Sequence, residues 1–134
     1  MWLYQGKPFG SADIGSNVGF VYLITDNVTG KKYIGKKLFV STRKLPPLKG
    51  KSRRRTKVTE SDWQDYYSSS DMIKALVAEH GKERFKREIL HLCRTKSECT
   101  YFEAKLQFEN DVLFSNDWHN NMIMCRLSGS HFRQ

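Results

Sequence analysis

The segment "VYLITDNVTGKKYIGKK", residues 21–37, holds two short apolar runs around a polar turn, each run with a tyrosine. Taken to their limits, "FVYLIT" (20–25) and "KKYIG" (31–35) read as two β-strands. The "DNVTG" between them brings Asp, Asn and Gly, which tolerate the dihedrals of a tight turn. The first run is apolar at successive positions, the pattern of a central strand covered on both faces. Tyr22 and Tyr33 stand eleven residues apart, and Gly35 follows the second with Lys36 and Lys37 behind it.

Outward from this hairpin the chain reads as a small α+β domain with the order β-β-α-β-α. Residues 1–18 read as an irregular, weakly structured extension. Residues 44–60 read as an exposed loop, because Pro46, Pro47 and Gly50 interrupt any regular pattern. A helix is expected after Ser69 or Ser70, either of which can cap it, with Asp71 in its first turn and Gly81 at its end. Its apolar stripe is Ile73, Leu76, Val77 and His80. "RFKREILHLC" (84–93) alternates as a third strand. A second helix is expected from about Ser97 to Leu113, with two stripes, Cys99, Phe102, Glu103, Leu106, Asn110, Leu113 and Tyr101, Ala104, Phe108, Val112, merging into one broad buried face. A short strand is expected at Met122–Leu127.

The 134 residues suffice for one domain, and 39% hydrophobic with 28% charged residues is an ordinary soluble composition. No apolar stretch approaches the about 18 residues of a membrane span. The N-terminus has no basic region followed by an apolar run, so an intracellular, non-secreted protein is expected. Cys93, Cys99 and Cys125 are odd in number and form no CxxC pair, as expected of reduced thiols, and their spacing to His91 or His119 matches no common zinc module. The net charge of +9 is concentrated: residues 36–57 carry ten Lys or Arg and no Asp or Glu. Such a segment focuses a positive potential and attracts a polyanion. Two prolines and the lack of a helical period argue against a membrane surface and leave nucleic acid as the expected partner.

Glu103 is out of character on an apolar helical stripe, where a carboxylate is rare unless paired or bound to metal. One carboxylate suffices for Mg²⁺ when water and substrate phosphate complete the shell. Arg43, eight residues past Gly35, carries a guanidinium fork suited to a phosphate. The four histidines are scattered, and HExxH, Walker and Ser-His-Asp patterns are absent.

Taken together these residues resemble the GIY-YIG nuclease family. "GFVY" (19–22) and "KYIG" (32–35) match its two name-giving motifs, with Phe20 and Val21 where the family often has Ile and one extra residue between Gly19 and Tyr22. Arg43 lies at the distance of the family arginine, Glu103 in "YFEAK" matches the metal-binding glutamate, and Asn120 in "WHNN" matches a late asparagine. Residues 61–93 are similar to the same stretch of small phage-encoded, Seg-like homing endonucleases. The resemblance implies an extension at 1–18 and a nuclease domain at 19–134 with a three-stranded sheet flanked by helices and the basic loop 44–60. It implies Mg²⁺-dependent hydrolysis of DNA phosphodiesters, with Mn²⁺ as a substitute metal and no small-molecule cofactor.

In that reading Tyr22 helps deprotonate the attacking water, its phenol acidified by Lys32, Lys36 and Arg43. Tyr33 orients water or phosphate, Arg43 binds the scissile phosphate, Glu103 holds the metal and Asn120 fixes the geometry. Many relatives carry a histidine or further tyrosine after the arginine; here Tyr66 or Tyr67 would fill that place. Larger homing enzymes append a DNA-binding domain, whereas this sequence runs to Gln134. Lys36 and Lys37 with the loop cations Lys49, Lys51, Arg53, Arg54, Arg55 and Lys57 are therefore expected to hold DNA with modest sequence specificity. Six loop phosphate contacts give a log–log salt slope near about −5. Homing or DNA-degrading action, a structure-specific repair or recombination nuclease, and a non-catalytic binding module of the same fold stay open, as do monomer and dimer. A phage-encoded protein would act in the host cytoplasm.

Overall fold

A computed structural model describes residues 1–133. In chain order its strands and helices are β1 (Trp2–Tyr4), β2 (Lys7–Phe9), β3 (Gly19–Asp26), β4 (Lys32–Leu38), β5 (Val40–Leu45), β6 (Arg55–Glu60), α1 (Asp71–His80), β7 (Phe85–Cys93) and α2 (Lys96–Glu109). Five strands form one sheet in the order β2-β1-β7-β3-β4, and β5 with β6 forms a separate two-stranded ribbon. The pairings are antiparallel except β1 with β7, so this is the expected mixed α+β class. Among the described residues no helix is long and apolar enough to cross a membrane.

β3 is central, as its doubly apolar pattern requires. Phe20, Tyr22 and Ile24 point to the α1 side, where Trp2, Phe9, Phe39, Trp63, Ile73 and Ile89 join them in one buried cluster. Val21 points to the α2 side with Ile34, Cys93, Cys99 and Val112. A β-bulge on β7 lies beside Tyr22: Val21 pairs with His91 but Tyr22 pairs with Ile89, leaving Leu90 as the extra residue. The bulge reverses the alternation of β7, so Arg87 and Ile89 face the first core while His91 and Cys93 face the second.

The turn after β3 is tied down by Asp26. Its carboxylate accepts from the N–H groups of Val28 and Thr29 and takes a two-pronged grip from Arg84, at 2.7 and 2.8 Å. The guanidinium holds this buried carboxyl well below the usual carboxylate range.

Several expectations are corrected. Residues 1–18 are not weakly structured throughout: β1 and β2 extend the expected three-stranded sheet, joined by Gln5 and Gly6, both at positive φ as a tight hairpin turn requires. Residues 44–60 are not a loop; β5 and β6 flank a short turn region that contains both prolines. Met122–Leu127 forms no strand. Finally, α2 stops at Glu109, where the Asn110 amide caps the Leu106 carbonyl at 2.7 Å. Its buried face is narrower than expected, with Tyr101, Phe108 and Leu113 exposed and Gln107 buried. At α1 the expectation holds: Ser70 caps the N-terminus and Gly81 the C-terminus.

Candidate active site

Tyr22 and Tyr33 are not directly opposed on the hairpin. Tyr22 pairs with Gly35, and Tyr33 pairs with Ile24. The two rings meet diagonally, 6.2 Å apart, in the space that Gly35 leaves by having no side chain. A Cβ at Gly35 would lie 2.6 Å from Cζ of Tyr22, closer still to its Oη, and 2.9 Å from Cε1 of Tyr33. Close approach therefore requires glycine here.

Tyr22 is fully buried, with Trp2 at 5.5 Å and Tyr66 at 5.8 Å edge-on to its ring. Its hydroxyl meets the Tyr66 hydroxyl at 3.4 Å and donates to Ser68 Oγ at 3.5 Å. Ser68 is itself buried and sits at φ +128°, a strained conformation for a residue with a side chain. The neighbouring Ser69 lies beside the Tyr33 phenol. The loop leading into α1 thus lies over both tyrosines.

Glu103 approaches from the other face. It lies half-buried on α2, near the backbone N–H and the ammonium of Lys36, the residue after Gly35. Burial raises its carboxyl above the ordinary value, against the pull of the Lys36 charge. Its own charge helps raise Tyr33, so carboxylate and phenol share one field. Lys36 reaches Thr100 Oγ1 at 2.7 Å. Lys37 lies 4.4 Å from the centre of the Tyr66 ring and pairs with Asp62 at 2.8 Å.

Asn120 is buried, and its amide is a two-point clamp on β4. Oδ1 accepts from Ile34 N–H at 3.0 Å and Nδ2 donates to Ile34 C=O at 2.8 Å. It touches the strand backbone between the two motif residues Tyr33 and Gly35.

Tyr22, Tyr33, Tyr66 and Glu103 are therefore brought together, with Asn120 behind them. Tyr67 is not: it stacks on Arg87 at 4.1 Å and makes no hydrogen bond to the other phenols among the described residues. Nor does Arg43 join them. It lies exposed on β5, opposite Lys57, with no hydrogen bond or ion pair among the described residues. The expected acidification of Tyr22 is also absent. Burial pushes its phenol well above the ordinary tyrosine value, and no cation offsets this.

A family model described as "Putative endonuclease segE, GIY-YIG domain" matches residues 2–123. The chain belongs to this GIY-YIG endonuclease family. No curated protein and no solved structure matches it. At family level the domain is of nuclease type, and the match begins at Trp2, so it takes in β1 and β2 as well as the motif hairpin.

Three contributors to the GIY-YIG site were missed in the sequence. Ser68 was not singled out and Ser69 appeared only as a candidate helix cap, and their closeness to the tyrosines depends on the backbone of Ser68. Arg87 did leave a signal, a charge in phase with Phe85 and Ile89 on the core-facing side of β7. It is buried and donates to the carbonyls of Gln64 and Tyr66, both at 2.8 Å, which fixes the irregular segment carrying Tyr66.

Proposed function

We propose that the protein is a divalent-metal-dependent DNA endonuclease that hydrolyses phosphodiester bonds, of the small phage-encoded homing or DNA-degrading kind, with Mg²⁺ as its metal and Mn²⁺ as a substitute. One observation carries the reading: the Tyr22 and Tyr33 rings meet over Gly35, the Tyr66 hydroxyl lies 3.4 Å from that of Tyr22, and the half-buried Glu103 carboxylate lies beside Lys36, the next residue, near a cationic ribbon. Glu103 fits a metal that keeps most of its water. It is a single carboxylate, and no cluster of three ligating side chains occurs among the described residues. Its raised carboxyl value marks a charge that a cation would relieve. When bound, the ion supplies positive charge beside the scissile phosphate and the leaving oxygen.

The chain's own residues do the rest. Tyr22 remains a neutral phenol at pH 7, so it does not act as a free phenolate base. It accepts the proton of the attacking water while passing its own to Tyr66, which is half-buried and releases its own hydroxyl proton to solvent, so each hydroxyl loses one proton as it gains one. Tyr33, with Ser69 beside its phenol, hydrogen-bonds a non-bridging phosphate oxygen. Lys36 contributes the charge nearest the carboxylate. Asn120 and Arg87 position β4 and Tyr66 without touching substrate. Arg43 acts on DNA from the ribbon, with Lys49, Lys51, Arg53, Arg54, Arg55 and Lys57, all exposed.

The test is conversion of supercoiled plasmid to nicked and linear forms with and without Mg²⁺, by the protein and by Glu103→Ala. Metal-dependent cleavage that vanishes in the variant while DNA binding persists supports the assignment. Tight binding without cleavage by either protein would leave a non-catalytic DNA-binding module of this fold.

A further inference from the structure

We infer that the β5–β6 ribbon enters the major groove of duplex DNA, with the face bearing Arg43, Arg55 and Lys57 toward the base edges. The inference rests on the DNA-acting reading above and adds where the duplex is held and what is read.

The register puts Ser41 opposite Thr59, Arg43 opposite Lys57 and Leu45 opposite Arg55 on one face of the ribbon. Like charges directly opposed on a two-stranded sheet are destabilising. No carboxylate relieves them: among the described residues no ribbon cation has an acidic partner. Glu60, the ribbon's single acidic residue, is turned to its base, where Ser11 and the Trp63 indole N–H (2.8 Å) bond it. A surface so charged is completed by a polyanion.

Shape selects the groove. Residues 41–44 and 55–60 are all exposed, so the ribbon stands free of the body on both faces. Six residues per strand give a blade about 20 Å long, and two strands about 4.8 Å apart with side chains are about 10 Å across. That matches a major groove about 12 Å wide and exceeds a minor groove of about 6 Å. Arg and Lys pair with guanine O6 and N7, and Ser and Thr hydroxyls bond either base type. The turn region between the strands adds Lys49, Lys51, Arg53 and Arg54 for the phosphates that wall the groove.

The base of the blade is rigid and adjoins the site. Phe39, the one residue between β4 and β5, is buried against Phe20 at 4.6 Å and Trp63 at 5.0 Å. Ser61, just after β6, returns its N–H to Phe39 C=O at 2.8 Å and its hydroxyl to Leu38 C=O at 2.6 Å. A cleft of about 780 Å³ at this base is lined by Lys36, Lys37, Lys96 and Thr100 together with Glu60 and Asp62, whose carboxylates are bonded to Trp63 and Lys37, and it reaches α2 at Thr100, three residues before Glu103. A duplex held on the blade would lay a phosphate strand in that cleft.

The test is binding of the full chain to fluorescent duplexes in EDTA, which separates binding from cleavage. The duplexes are an unmodified one, the same sequence with a bulky uncharged group at C5 of every pyrimidine, and the unmodified one saturated with netropsin, a minor-groove ligand. The inference expects binding weakened about tenfold or more by the C5 groups, which project into the major groove, and changed less than about twofold by netropsin. In the Arg43→Ala, Lys57→Ala double variant, whose positions are exposed, binding to plain DNA falls and the C5 effect shrinks to within about twofold. Equal binding to plain and C5-substituted DNA, or displacement by netropsin, overturns the inference, and so does absence of DNA binding. Failure of the nuclease reading looks different: the groove preference would remain, but no DNA would be cleaved with Mg²⁺ present.

Discussion

Replacing Gly35 by alanine separates damage to the site from damage to the fold. The added Cβ would sit 2.6 Å from Tyr22 Cζ and 2.9 Å from Tyr33 Cε1. Carbon pairs rest at about 3.5–4.0 Å, so one ring or the strand must move by about 1 Å. Tyr22 has nowhere to go: it is fully buried with aromatic rings at 5.5 Å and 5.8 Å. Overpacking of this kind costs about 1–3 kcal/mol. Against a total of about 5–15 kcal/mol the protein stays folded. A thermal scan should show a fall of about 3–5 °C per kcal/mol for a chain of this size. Cleavage should fall much further, because a 1 Å misplacement of a reacting group is worth about a hundredfold. The control is Gly10→Ala, where φ is −127° and no atom lies within 4 Å of the new Cβ; it should leave both readouts unchanged. A Gly35→Ala protein with unaltered melting temperature and near-normal plasmid nicking would refute the close approach of the two tyrosines.

Glu103→Gln tests the metal without needing turnover. Burial raises the Glu103 carboxyl, so its ionised form opposes folding as pH rises through that raised value. In EDTA at pH 8 the variant should melt no lower than the parent, and Mg²⁺ should raise the parent's melting temperature alone. Asn120→Ala removes both bonds to Ile34 and leaves a buried N–H unpaired, which should lower stability by about 2–3 kcal/mol in urea titration. Asp26 behaves oppositely to Glu103: its carboxyl is held down by Arg84, so its contribution is present above the ordinary value of 3.8 and lost as pH falls through the folded value. Asp26→Asn should therefore be less stable at pH 7 in denaturant titration, with the gap closing in acid. Binding of a duplex should show a salt slope near about −5; one shallower than about −2 would remove the ribbon as the main contact.

How much was legible follows from how each element is stabilised. β3, β4 and α1 announce themselves because their signals are local: apolar runs around an Asp-Asn-Gly turn, and a Ser cap paired with a terminal Gly. β7 was legible as a strand, but its bulge was not, since "EILHL" offers apolar residues in both phases. β1 and β2 have three residues each, too few for a period, and exist because Trp2 and Phe9 complete a core assembled from distant residues. β5 and β6 carry no buried face, so alternation has nothing to mark; the Val and Thr in "VSTRKL" and "RTKVTE" were the available hint. Glu103 stood out as a charge on an apolar stripe, and the structure half-buries that charge beside Lys36. Arg43 was placed at the site by its motif interval alone. Its position on a strand that leaves the sheet could be known only from the pairing with Lys57.

The outer edge of β4 explains why carboxylate and tyrosines keep a fixed relation. An open strand edge invites another chain unless its backbone groups are met. Here they are met mostly by side chains. Lys32 bonds the backbone of Asp117 and His119, Ile34 is clamped by Asn120 and by Gln107 Nε2 at 3.0 Å, and the Lys36 N–H lies toward the Glu103 carboxylate. Glu103 and Gln107 are one turn apart on α2, so a single helix face serves two successive outward positions of the strand. Tyr33 and Gly35 alternate with those positions and point to the opposite side, where Tyr22 waits. Protecting the edge and aiming the carboxylate are thus one arrangement. A shift of α2 large enough to free Glu103 would also unpair the edge that the glycine and tyrosine motif is built on. The site's geometry is therefore coupled to the stability of the sheet rather than to the mobility of a loop.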